Sequence, residues 1–125
     1  MRDFLIIGVG AVLGANLRYW VTVYFAERVG LVFPYGTLVV NVTGSFVLGF
    51  VYMLLANRLV DNDGYRLLIG TGFLGAYTTF STFSYDTIAL VERGDLLLAA
   101  ANAGASLLGS IVAAYLGIML ARILA

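Results

Sequence analysis

Residues 72–86 read GFLGAYTTFSTFSYD, between two strongly apolar stretches. Five hydroxyl side chains (Thr78, Thr79, Ser81, Thr82, Ser84) and three aromatics within six positions follow two glycines, Gly72 and Gly75. Such a run is unexpected in a chain that is otherwise oil. Of the 125 residues, 62% are hydrophobic and 11% charged. Soluble domains hold about half apolar and about a quarter charged residues. The composition therefore excludes an ordinary soluble domain.

The charges narrow the function further. Seven basic residues, all arginine, balance seven acids, and no basic tail or patch points to nucleic acid. The chain has no cysteine and no histidine. That removes disulfides, a thiol nucleophile, the usual metal ligands and the commonest general base. The start, MRDFLIIGVGAVLGANLRYW, has the charged head and apolar run of a signal peptide. The run continues past Arg18, however, and three more apolar segments follow, so it reads as a mature span.

A membrane span needs roughly 20 predominantly apolar residues. The sequence predicts four, over 4–25, 33–57, 66–91 and 96–121, within one four-span domain covering 1–125. The breaks ERVG, NRLVDNDGYR and ERGD are short and combine charge with turn-forming Gly or Asx residues. Short connections make successive helices antiparallel neighbours. The expected fold is all-α and membrane-embedded. Arg2, Arg58, Arg66 and Arg122 fall on one side of it; Arg28 and Arg93 fall on the other, with Arg18 inside span 1 toward that end. This bias is weak for a rule that sets orientation. A fixed orientation and insertion both ways up, with antiparallel pairing of two copies, both fit the count.

Polar residues inside the spans are arranged in register. Thr37, Asn41, Ser45 and Gly49 recur every four positions and share a face of span 2. An unpaired amide in hydrocarbon costs several kcal/mol, on the order given by transfer data, so Asn41 needs partners. Interhelical glue and a polar wall facing water both satisfy that need. On span 4, Ala101, Ala105, Gly109, Ala113 and Gly117 form a ladder of small residues suited to close helix approach. Beside it runs a polar ladder of Asn102, Ser106 and Ser110. Gly10 and Gly14 carry a packing spacing on span 1. Arg18 fits snorkelling or a structural contact. Asp86 lies about one turn inside span 3, where a structural pair is expected.

In span 3, Gly70, Gly72 and Gly75 and the β-branched Thr78 and Thr79 all weaken a helix. The sequence predicts a helix broken near mid-membrane, with glycine permitting the unusual backbone. Carbonyls freed there need protein or a hard cation such as Na⁺. Phe80 and Phe83 lie three apart on one face. Ring edges carry partial positive charge. With hydroxyl and amide donors they can line a path for a small anion that meets no lysine or histidine.

Three stretches, GTGFLGAYTTFSTFSYD (70–86), NVTGSFVLG (41–49) and GAVLGANLRY (10–19), resemble the motifs of the Fluc/CrcB fluoride channels, as do the length and four-span plan. That resemblance implies a dual-topology, antiparallel homodimer in a prokaryotic plasma (inner) membrane. It implies passive export of cytoplasmic fluoride, two pores per dimer and no enzymatic activity. It further implies a central structural Na⁺ on the backbone carbonyls of Gly75 and Thr78. The pore residues it implies are Asn41, the pair Phe80 and Phe83, the neighbouring Ser81 and Thr82, and Ser106 and Ser110 on span 4. Asn102 departs from that pattern, standing where some members carry tyrosine, and a structural role is one expectation for it and for Arg18. The rival reading, a small multidrug-type proton-coupled antiporter, requires a membrane-embedded carboxylate.

Overall fold

The computed structural model describes residues 1–57 and 63–125. Arg58 and Asp61 of the second predicted connection lie outside the described residues. Among the described residues the regular structure is entirely helical. Helix α1 spans Arg2–Val29, α2 Tyr35–Ala56 and α6 Leu96–Leu124. These three are long and apolar enough to cross a membrane. They coincide with the first, second and fourth predicted spans.

The third predicted span is built differently. It begins as a single helical turn, α3 (Asp63–Tyr65), continues as a π-helix over Arg66–Leu74, and returns to α geometry in α4 (Gly75–Tyr77). Thr78 (φ −78°, ψ 156°) and Thr79 (φ −152°, ψ 120°) are extended, and α5 then covers Phe80–Glu92. The backbone leaves the helix at the two threonines and not at the glycines. Gly75 itself is helical (φ −63°, ψ −35°).

The glycines serve packing instead, which corrects the expectation that they supply unusual dihedrals. A Cβ on Gly10 would collide with the Leu68 carbonyl, and one on Gly14 with the Phe73 carbonyl. A Cβ on Gly72 would come within 2.6 Å of the Ile7 carbonyl oxygen. Gly10 and Gly14 are the buried residues of α1. The α1 backbone thus lies directly on the π-helix. A π-helix is normally a single-turn insertion; here nine residues adopt it, facing this glycine seam.

The small residues of α6 act similarly against α2. A Cβ on Gly117 would strike the Phe46 carbonyl, and one on Gly49 the Ala114 carbonyl. Ala113 and Gly117 are buried, whereas Ala101 and Ala105 at the other end of the ladder are exposed. The core is small: Val40, Leu74 and Tyr77 are buried together, with Val21, Leu48, Ile69 and Phe73 around them. Most large apolar side chains face outward, including Trp20, Tyr24 and Ile111. Apolar surface on that scale suits a lipid environment. Among the described residues, Gly30 (φ 91°) and Gly94 (φ 82°) make turns with a left-handed backbone. Arg93 closes the second turn on the first, donating to the Val32 carbonyl at 2.9 Å and lying 3.6 Å from Asp95.

Candidate functional site

The site is built at the Thr78–Thr79 junction. An extended residue pair inside an apolar bundle must find partners for its peptide groups. Asn41 of α2 supplies them for Thr79. Its Nδ2 donates to the Thr79 carbonyl at 2.9 Å, and its Oδ1 accepts the Thr79 amide at 2.8 Å. The Thr79 hydroxyl caps α5 by accepting the Thr82 amide at 3.2 Å, an ordinary N-cap function of threonine. The same hydroxyl bonds Ser81 Oγ and donates to Thr82 Oγ1, each at 3.2 Å. Thr78 Oγ1 turns back to the Leu74 carbonyl at 2.9 Å.

These bonds divert two amides from the carbonyls they would meet in a continuous helix. In a continuous helix the Thr79 amide would bond the Gly75 carbonyl, and the Thr82 amide the Thr78 carbonyl. Asn41 and the Thr79 hydroxyl take those amides instead. Gly75 is exposed and Thr78 half-buried. The two main-chain oxygens are the chemistry a hard cation uses. Among the described residues no group of three or more acidic side chains could hold a metal ion.

Beside the junction lies a groove of about 240 Å³, lined by Asn41, Ser45, Thr78, Thr79, Phe80, Phe83, Ser106 and Ser110, with Leu107 and Ile111. Three separate elements meet there. The Phe80 and Phe83 rings are 5.5 Å apart at 50°. Phe83 is 7% exposed, but Phe80 is 71% exposed, so one wall of the groove stands open on the surface of the chain. Asn41 has two N–H donors, and one remains after its bond to Thr79. The groove therefore offers an amide N–H, hydroxyls and ring edges, with no ionised group.

The other expected site residues fall nearby. Ser81 is exposed and held by Thr79. Thr82 lines a second polar space of about 170 Å³, which also holds Thr22, Tyr35, Thr37 and Asp86. Asp86 accepts from Thr37 Oγ1 at 3.1 Å, so its expected structural partner is a hydroxyl. Asn102 is 1% exposed and donates to Thr87 Oγ1 at 2.9 Å. Ser106 donates to Asn102 Oδ1 at 3.5 Å. Arg18 is half-buried, and among the described residues no partner of its guanidinium is found. Sequence reasoning passed over Thr79 and Ser45 as site residues. A threonine three positions before Thr82 at a helix start was the available signal for Thr79.

The family described as CrcB-like protein, Camphor Resistance (CrcB), matches residues 5–118. A protein of Roseiflexus sp. (strain RS-1) named Fluoride-specific ion channel FluC is 47% identical over 122 residues, covering 98% of each chain. A protein of the same name from Trichormus variabilis is 44% identical over 127 residues, covering 98% of this chain and 90% of the relative. Another from Sulfurihydrogenibium sp. (strain YO3AOP1) is 43% identical over 124 residues, covering 99% and 100%.

Proposed function

Because this chain belongs to the CrcB family, we propose that it conducts fluoride selectively across a membrane, and that the groove beside Thr79 is half of its anion path. It is accordingly a multi-pass membrane protein of a channel family, not an enzyme. The observation that carries the reading is the convergence of Asn41, Phe80, Phe83, Ser106 and Ser110 on one groove. A small, strongly hydrated anion must exchange water for donors. Neutral donors and ring edges supply that exchange without a fixed cation that would trap the ion.

The finer features extend this reading. The helices on either side of Thr78 and Thr79 form one interrupted span, completing a single four-span domain over 1–125. The chain works as an antiparallel, dual-topology homodimer. The exposure of Phe80 supports this: a second copy would cover the open wall of each groove and give two paths per dimer. Gly75 and Thr78 of both copies would hold a structural Na⁺ on four carbonyl oxygens. The positive charge of such an ion satisfies main-chain oxygens that lipid cannot. The expected site is a prokaryotic inner membrane, and the expected role is passive export of cytoplasmic fluoride. The antiporter alternative is not carried forward, because the relatives are named as channels.

Fluoride efflux from liposomes holding the purified protein, with no proton gradient imposed, tests the proposal. Electrogenic efflux supports a channel. Efflux that appears only against an imposed proton gradient would refute it.

A further inference from the structure

Asn102 is buried beside the groove but is not among the residues lining it, and its hydrogen bonds run in one direction. Thr87 gives its single hydroxyl hydrogen to the Phe83 carbonyl at 2.8 Å. Thr87 Oγ1 can therefore only accept from Asn102, which fixes Nδ2 on that side at 2.9 Å. The amide orientation follows, and Oδ1 is turned toward Ser106. Ser106 then donates its own single hydrogen to that Oδ1, at 3.5 Å. Ser106 lines the groove. With its hydrogen directed at Asn102, it shows the groove lone pairs, which repel an anion.

We propose that Asn102 is a positioning residue that weakens the groove's hold on its anion by drawing the Ser106 hydroxyl hydrogen away from the path. The inference rests on the groove being the anion path, as set out above. A bond as long as 3.5 Å is weak. An arriving anion can therefore pull the hydrogen over, leaving Asn102 Oδ1 buried without a donor. That compensating loss keeps binding shallow. Conduction needs this balance, since an ion must enter readily and also leave. Asn102 thus sets occupancy against turnover, while Thr87 holds it in the required orientation.

The test records fluoride efflux over a series of fluoride concentrations for the parent, Asn102→Leu and Thr87→Val in liposomes. Leucine removes the acceptor at similar volume. Valine at 87 removes the group that fixes the amide, so Oδ1 is no longer held toward Ser106. Asn102→Leu should lower the half-saturating fluoride concentration by about threefold to tenfold, the effect of no longer breaking one hydrogen bond to a buried acceptor, with maximal flux reduced. Thr87→Val should shift it in the same direction by less, and it decides the matter alone if Asn102→Leu does not assemble. Packing damage would lower maximal flux and leave half-saturation where it is in the parent. That result, or a shift to weaker binding, would overturn the proposal while leaving the channel reading intact. A parent that carries no fluoride would overturn both.

Discussion

Asn41 of α2 grips the backbone of Thr79 with both ends of its amide, donating at 2.9 Å and accepting at 2.8 Å. The amide oxygen replaces the helical acceptor that the Thr79 N–H lacks, and the residue stands in the groove wall as it does so. One residue thereby pairs the Thr79 amide at the junction and has one N–H remaining beside the groove.

Replacing Asn41 should therefore do two kinds of damage. Asn41→Leu leaves the Thr79 amide unpaired, at about 1–3 kcal/mol for a buried group, and takes one of two donors from its carbonyl, so it should lower the unfolding temperature in detergent. Asn41→Asp keeps an acceptor for the Thr79 amide but loses the donor and adds a negative charge. It should be the more stable of the two and still lose most fluoride flux. Parent-like flux in Asn41→Asp would remove Asn41 from the path.

The aromatic pair separates stability from conduction. Phe80 is 71% exposed and Phe83 7% exposed. Phe83→Ile should cost more stability than Phe80→Ile, with each change about 1.5 kcal/mol or less because apolar bulk is retained. Both variants should lose most of their flux. Flux measured per amount of folded protein separates the two effects, and an unaffected Phe80→Ile would contradict the assignment of Phe80.

Glycine substitutions test the packing seam. Gly10→Ala and Gly14→Ala would drive a methyl into backbone of the π-helix, and overpacking of that kind costs about 1–3 kcal/mol. Gly8→Ala meets nothing within 4 Å and should be silent. At Gly75 a Cβ meets the Gly70 carbonyl at an ordinary 3.6 Å, so Gly75→Ala should fold like the parent. Thermal unfolding of the four variants in detergent provides the comparison.

Much of this arrangement was legible in the sequence. Hydropathy located α1, α2 and α6, because a stretch of about 20 apolar residues has few alternatives to a span. Four-residue spacing placed Asn102, Ser106 and Ser110 on one strip, because spacing determines which side chains share a helix face. A break near Gly75 and Thr78 was expected from composition, with glycine as its cause, whereas Gly75 is helical. The extended residues are the threonines, since Asn41 and the Thr79 hydroxyl capture the amides that would have continued the helix. That depends on a contact across 38 positions, which local propensity does not register. The π-helix likewise packs on a glycine seam of a different helix, which local propensity does not register.

The proposed Na⁺ site on the carbonyls of Gly75 and Thr78 predicts a dependence on sodium. Removing Na⁺ from both faces by dialysis should reduce fluoride flux, and restoring it should recover the flux. The reversal potential should follow the fluoride gradient and ignore the Na⁺ gradient, because a structural ion is not carried. A reversal potential that moves with Na⁺ would show co-transport and contradict the assignment of Gly75 and Thr78.

The dimer proposal predicts two populations. A tag at one terminus should be accessible from both faces of the membrane, in comparable amounts, when the protein is expressed in cells. One orientation for every copy would exclude an antiparallel pair and leave the open wall at Phe80 without its second copy.

The measurement closest to the central claim is parallel efflux of fluoride and chloride from liposomes reconstituted with the purified protein, each followed by an ion-selective electrode. A groove that dehydrates a small anion with neutral donors and ring edges predicts rapid electrogenic fluoride efflux with chloride retained in the same vesicles. Chloride efflux at a comparable rate, or no fluoride efflux above that of protein-free liposomes, would contradict the account.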